Sequence, residues 1–163
     1  MTSDTSGRTI PESRPMSYSR GEISTFVMPN MQNVLGDLFG GQLMALLDQA
    51  AAIAAIRHAA GPCVTASIHR LDFHEAIPVG SLVTCIATVD YVGHSSMDID
   101  VEVYSEEVST GIKRHTHSGK VVFVAVDRNR KPRKVPRLVP ETDEERERFE
   151  RARKYREENQ RPR

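Results

Sequence analysis

The chain has 163 residues, with 22 basic against 22 acidic side chains, six histidines and two cysteines. Balanced charge argues against non-specific binding to nucleic acid or to an anionic membrane as the main task. Cys63 and Cys85 are too few and too far apart for a metal motif, and buried reduced thiols in a cytosolic protein account for them most simply. Residues 1–18 are polar, with Ser, Thr, Arg and Pro and no apolar stretch, so neither a signal peptide nor a membrane anchor is expected there, and the expected location is the cytoplasm.

One domain is expected over 18–140, between a disordered arm at 1–17 and a charged helix or tail at 141–163. A first strand falls within 18–28, where Ile23, Thr25 and Val27 alternate with polar neighbours and Pro29 ends the run. A loop follows at 33–41. Residues 42–60 contain no Gly or Pro and are rich in Ala, Leu and Met, which predicts a helix, stopped by Gly61-Pro62. From Leu43 to Ile56 only Asp48 and Gln49 are polar. A helix with no solvent stripe reads as a core helix wrapped by other protein. It is too short, and its carboxylate too central, to span a bilayer.

Strands follow. At 63–73, Val64, Ala66 and Ile68 share a face before the parity shifts to Leu71 and Phe73, which predicts a bulge near His69-Arg70. Residues 82–92 form the next strand, 97–104 alternate strictly, and 120–126 make a last apolar strand. The fold class is therefore α+β, a curled antiparallel sheet of about five strands around one long helix. Residues 127–137 are basic, either a solvated exit loop or a holder for phosphates. Beyond Pro140, Thr142 caps a surface helix with acids in its first turn. That helix carries Glu144–Arg148 and Glu147–Arg151 pairs and docks, if at all, through Phe149 and Tyr155.

Two features carry chemistry. Asp48 lies inside the apolar helix, where a carboxylate serves either as a general base or as the partner of an Arg or an amide at an oligomer seam. Gly40-Gly41 opens the same helix, where unpaired N–H groups and the positive dipole end suit a phosphate or the oxygen of a carbonyl under attack. The bland reading of the glycines is a tight turn. Asp48 lies seven residues beyond Gly41, which is roughly 10 Å along a helix axis. A base works within about 3 Å of its water. If both ends of the helix serve one substrate, a second copy of the chain supplies one of them, and the site is shared across a dimer.

Asn33-x-x-Gly36-Asp37-x-Phe39-Gly40-Gly41, followed by Met44-x-x-Leu47-Asp48, resembles the hotdog-fold acyl-CoA thioesterases, in particular the cytosolic (brain-type) acyl-CoA hydrolases and their bacterial short-chain relatives. The likeness runs from about residue 20 to 155. It takes in Val64-Thr65-Ala66-Ser67, Asp72-Phe73-His74, Gly93-His94-Ser95-Ser96, Phe123-Val124-Ala125-Val126-Asp127, the run 135–142 and Arg148-Phe149-Glu150. It implies a hotdog fold and hydrolysis of acyl-CoA to free fatty acid and CoA, with no metal or cofactor, CoA being part of the substrate. Asp48 would be the general base for a water, or else the nucleophile on the thioester, and Asn33, from another subunit, would orient the water or polarise the carbonyl. The Gly40 and Gly41 amides would receive the oxyanion. His94, Ser95 and Ser96 would line the path of CoA, and Arg128, Arg130, Lys131 and Arg133 would meet its phosphates. At least a homodimer is implied, and a trimer of dimers is common in the family. Gln42 stands where relatives often carry a bulkier or β-branched residue, which leaves chain-length preference open. Two rival readings are a non-catalytic acyl-CoA-binding hotdog protein and a hotdog dehydratase or hydratase. The second wants a histidine base, yet His69, His74, His115 and His117 fall in strand-like segments and none lies near the glycine start of the helix.

Overall fold

The computed structural model describes residues 2–3 and 9–159, with a five-stranded antiparallel sheet at its centre. Short strands β1 (Thr2–Ser3), β2 (Thr9–Ile10) and β3 (Ser13–Pro15) precede β4 (Gly21–Phe26). Helix α1 (Gly40–Ala59) leads into β5 (Cys63–Phe73), β6 (Leu82–Val92), β7 (Ser96–Glu107) and β8 (Ile112–Ala125). Strand β9 (Arg137–Val139) and helix α2 (Asp143–Asn159) close the chain. The sheet order is β4-β6-β7-β8-β5, and the register of β5 on β8 shifts between Ile68 and Arg70, at the expected bulge, and again between Thr65 and Ser67.

Period-two patterning aims Val83, Cys85, Ala87 and Val89 of β6, Met97, Ile99, Val101 and Val103 of β7, and Val121, Phe123 and Ala125 of β8 into the core. Helix α1 presses Leu43, Leu47, Ala50, Ala51, Ala54, Ala55 and Ala59 onto that surface. The alanines let the helix lie close, and burying each leucine contributes about 2 kcal/mol. Within one chain the wrapping of the helix is incomplete: Met44 is 41% and Ile56 46% exposed on its far face. One sheet covers only one side of a helix. Strand β5 ends the sheet, and its Val64, Ile68 and Phe73 are likewise exposed.

The expected disordered arm is also corrected in part. Strand β3 pairs in parallel with β9 through Ser13–Arg137, Arg14–Leu138 and Pro15–Val139, and Met16 is buried. Residues 1 and 4–8 of that arm lie outside the described residues. The segments around Ser19 and Pro136 meet over the fully buried His58, whose Nε2 donates to the Pro136 carbonyl at 3.0 Å while Nδ1 lies 3.4 Å from the Ser19 hydroxyl. Burial pushes the His58 pKa down.

Helix α2 starts as expected. The Glu145 N–H donates to Thr142 Oγ1 at 3.1 Å, and the Glu145 carboxylate accepts from the N–H groups of Glu141 and Thr142. Glu147 pairs with Arg151 at 3.8 Å. The expected Glu144–Arg148 pair does not form, because Arg148 turns inward to Asp90 at 3.2 Å and Asp100 at 3.7 Å. A buried carboxylate competes for a guanidinium better than a solvated one, since its charge is uncompensated without a partner. Phe149 packs on Tyr91 with ring centroids 5.4 Å apart, and Ala152 is buried.

Burial raises the Asp90 pKa to about 7, Arg148 opposing the shift. A pKa raised in the folded state contributes stability that is full below the ordinary carboxylate range and is lost as pH climbs through about 7. Urea melts should therefore show the unaltered chain losing stability relative to Asp90→Asn as pH rises from 5 to about 7, with a constant difference above that. A difference independent of pH would contradict this account of Asp90.

Candidate active site

Gly36 sits at φ +87°, a left-handed turn that a side chain would strain, and it closes a tight loop on Asn33. The Asn33 side-chain oxygen accepts the N–H of Leu35 at 2.8 Å and of Asp37 at 3.2 Å, while its own N–H donates to the Asp37 carbonyl at 2.7 Å. Two donors on Oδ1 decide which end of the amide is which. Its Nδ2 group is left without a hydrogen-bond partner among the described residues, so Asn33 offers donors only. The Phe39 N–H donates to the Met31 carbonyl at 2.8 Å, which ties this loop to the start of α1.

That start is open. Phe39 is the N-cap and makes no side-chain capping bond, and the first turn holds no acid. The Leu43 N–H reaches the Phe39 carbonyl at 3.1 Å, whereas the N–H groups of Gly40 and Gly41 have no acceptor among the described residues. A Cβ at Gly41 would fall 2.5 Å from Cε1 of Phe39, so only glycine fits beside that ring.

Asp48 lies two turns further along, half-buried beside β5. Its Oδ1 accepts from the Thr65 hydroxyl at 2.8 Å, and Oδ2 has no partner among the described residues. The sequence reading had it enclosed, but within one chain it lies on the uncovered side of α1. On sequence grounds Thr65 and Ser67 could both back such a site with hydrogen bonds, although a threonine in a strand is ordinary; the contact shows that Thr65 makes one. No hydrogen bond joins Asp48 to Asn33, Gly40 or Gly41 within the chain, in keeping with the reach argument. The chain thus carries, at two separate places, a fixed carboxylate and a cluster of N–H donors, the parts needed to activate water and stabilise an oxyanion.

A model of the thioesterase superfamily matches residues 35–112. An uncharacterised acyl-CoA thioester hydrolase of Bacillus subtilis (strain 168) is 40% identical over 83% of this chain and 78% of its own length. Cytosolic acyl coenzyme A thioester hydrolase of Mus musculus is 34% identical over 86% of this chain and 37% of its own. Acyl-CoA hydrolase from Staphylococcus aureus, solved with butyryl coenzyme A and coenzyme A, superposes with a TM-score of 0.84 at 34% identity, over 90% of this chain and 89% of that one. An apo-hexameric acyl-CoA thioesterase gives 0.87 at 36% identity, over 91% and 95%. The chain belongs to the thioesterase superfamily. Its hotdog architecture, a five-stranded sheet around one long helix, is the expected one.

The second group of expected residues in this thioesterase lies at the other end of α1. The turn at 93–96 is tied to the strand and loop beside it, the Ala125 N–H donating to the Ser95 carbonyl at 2.9 Å and the Val135 N–H to the His94 carbonyl at 3.0 Å. The Asp127 carboxylate accepts the N–H groups of Asn129 and Lys131, a compact fold that leaves Arg128, Arg130 and Lys131 exposed. Arg133 is a different case, with a structural role that the sequence does not show. Its Nη2 donates to the Ala59 carbonyl at 2.8 Å and its Nε to the Val126 carbonyl at 3.3 Å, closing the C-terminus of α1. Ser96 Oγ accepts from Arg156 of α2 at 2.6 Å.

His117 is buried, stacks edge-on against Phe73 at 5.0 Å, and leaves Nδ1 without a partner among the described residues. Burial first, and then His74 and His115, push its pKa down to about 4, so it is neutral at pH 7 and shut away from solvent. Arg133→Ala should lower stability by about 1–2 kcal/mol in denaturant melts by freeing helix-end carbonyls, and Arg133→Lys should restore only part because it lacks the planar fork.

Proposed function

We propose that this chain is an acyl-CoA thioesterase that hydrolyses acyl-CoA to free fatty acid and CoA. The observation that carries the mechanism is Asp48, held through Oδ1 by Thr65 with Oδ2 open, on the same helix whose uncapped start presents the Gly40 and Gly41 N–H groups. Asp48 takes a proton from water as the oxygen attacks the thioester carbon. The Gly40 and Gly41 amides hold the oxyanion, and collapse of the intermediate breaks the C–S bond and releases CoA thiolate, which the proton neutralises. Asn33 donates from Nδ2 to the carbonyl oxygen or to the water. A thioester is already an activated acyl group, so the reaction calls for neither metal nor cofactor.

Alanine variants of the Staphylococcus aureus hydrolase support these assignments. They replace an Asn, an Asp and a Thr separated by 15 and 17 positions, the separations of Asn33, Asp48 and Thr65. The exposed Arg128, Arg130 and Lys131, with His94 and Ser95, are assigned to the phosphates of CoA.

The active form is at least a homodimer. The uncovered face of α1 and the exposed β5 edge, with Val64, Ile68 and Phe73, form the seam, and one copy's Asp48 meets the other copy's Asn33 and glycine amides. A trimer of dimers is supported by the hexameric relative. Cytoplasmic residence is supported by the mouse relative named as cytosolic, and no helix among the described residues is long and apolar enough to cross a membrane.

Thiol release from a panel of acyl-CoA lengths tests the reading. Asp48→Asn should lower turnover by about three orders of magnitude with folding and CoA binding retained, and Thr65→Val should fall between it and the unaltered chain. Unchanged turnover in Asp48→Asn would refute the mechanism. Binding of acyl-CoA without thiol release by the unaltered chain would instead favour the non-catalytic reading.

A further inference from the structure

Helix α2 does more than cover the outer face of the sheet. Arg156, near its end, donates through Nη2 to Ser96 Oγ at 2.6 Å and through Nη1 to Asp98 Oδ1 at 2.8 Å. Its guanidinium lies 5.4 Å above the Tyr91 ring, itself packed on Phe149 of the same helix. The grip is partly withdrawn from water, the Arg156 and Asp98 side chains being 25% and 20% exposed. Gly93 makes it possible: a Cβ there would stand 2.8 Å from Ser96 Oγ and 3.4 Å from Arg156 Nη2. The turn is pinned on its backbone as well, the Gly93 N–H donating to the Ser96 carbonyl at 2.8 Å.

Because Ser96 Oγ accepts from a cation, its own O–H has no acceptor among the described residues, and the accepted bond polarises it into a stronger donor. A hydroxyl held that way suits an anionic oxygen. The exposed cations Arg128, Arg130 and Lys131 lie on the loop whose two ends, Ala125 and Val135, bond to Ser95 and His94 of this turn, and they are of the right sign for the same anion.

We propose that Arg156 is a positioning residue for substrate binding: from the C-terminal helix it orients the Ser96 hydroxyl and the 93–96 turn toward the phosphorylated nucleotide end of the acyl-CoA substrate. This rests on the thioesterase reading above and adds a role for α2, to which no chemistry was assigned from sequence. Arg156 touches neither the thioester nor Asp48, so it acts on binding of the nucleotide and leaves the chemical step alone.

The test compares two substrates on the full-length protein: an acyl-CoA and the same acyl group on pantetheine, which lacks the phosphorylated nucleotide. For Arg156→Ala, KM for acyl-CoA should rise about tenfold, the loss expected for one charge-assisted contact, while kcat stays within about twofold. With acyl-pantetheine, Arg156→Ala and the unaltered chain should behave alike, which also shows that the variant folds. Arg156→Lys keeps the charge without the fork and should recover part of the acyl-CoA effect. Ser96→Ala should reproduce the KM rise, and Gly93→Ala should do the same by crowding the grip. If Arg156→Ala slows both substrates equally, or changes neither, the inference falls while the thioesterase reading stands. If the unaltered chain releases thiol from neither substrate, the thioesterase reading itself has failed.

Discussion

A helix can press only one face onto a single sheet, and most of this molecule follows from that constraint. Leu43, Leu47 and a run of alanines occupy the contact with β6, β7 and β8. Between Leu43 and Ile56 what remains on the other side of α1 is apolar except for Asp48 and Gln49, and it runs beside a sheet edge that exposes Val64, Ile68 and Phe73. A surface of that kind costs hydration free energy until something covers it. The carboxylate proposed to do the chemistry lies within it, so assembly and catalysis draw on the same face.

The two ends of α1 are treated differently. At the C-terminus, Ala60 in the left-handed conformation closes the last turn on the Ile56 carbonyl, and Arg14 and Arg133 donate to the carbonyls of Arg57 and Ala59. His58 ties the same end to Ser19 and to the Pro136 carbonyl. At the N-terminus nothing comparable exists: no capping side chain, no acid in the first turn, and glycine where Phe39 leaves no room for a Cβ. Helix stability favours satisfying both ends. An end left open beside a loop that turns the Asn33 amide outward is better explained by a ligand than by folding.

Much of this was legible in the sequence. Strict alternation through Met97 to Tyr104 gave the right faces of β7, Gly61-Pro62 ended α1 near its observed end, and the parity change in β5 marked a real register shift. The helix start at Gly40-Gly41 and the isolated Asp48 stand out on physical grounds alone. Thr65 stands out less, because a hydroxyl in a strand gives no sign of what it faces. Arg133 read as one more cation in a basic run, although its guanidinium closes a helix that ends 74 residues earlier in the chain. Arg148 was assigned to Glu144 on its own helix surface, and lies instead against Asp90, 58 residues away.

From sequence alone follow the long helix, the five strands of the main sheet and the C-terminal helix in their order, with Asp48 and Gly40-Gly41 as candidates for chemistry, since those depend on neighbours within a turn or two of chain. Tertiary structure alone decided which cation meets which carbonyl, that β3 at the front of the chain pairs with β9 near its end, and that α1 keeps one side uncovered. Such pairings depend on relative energies of burial and desolvation between distant segments, and local pattern carries no record of them.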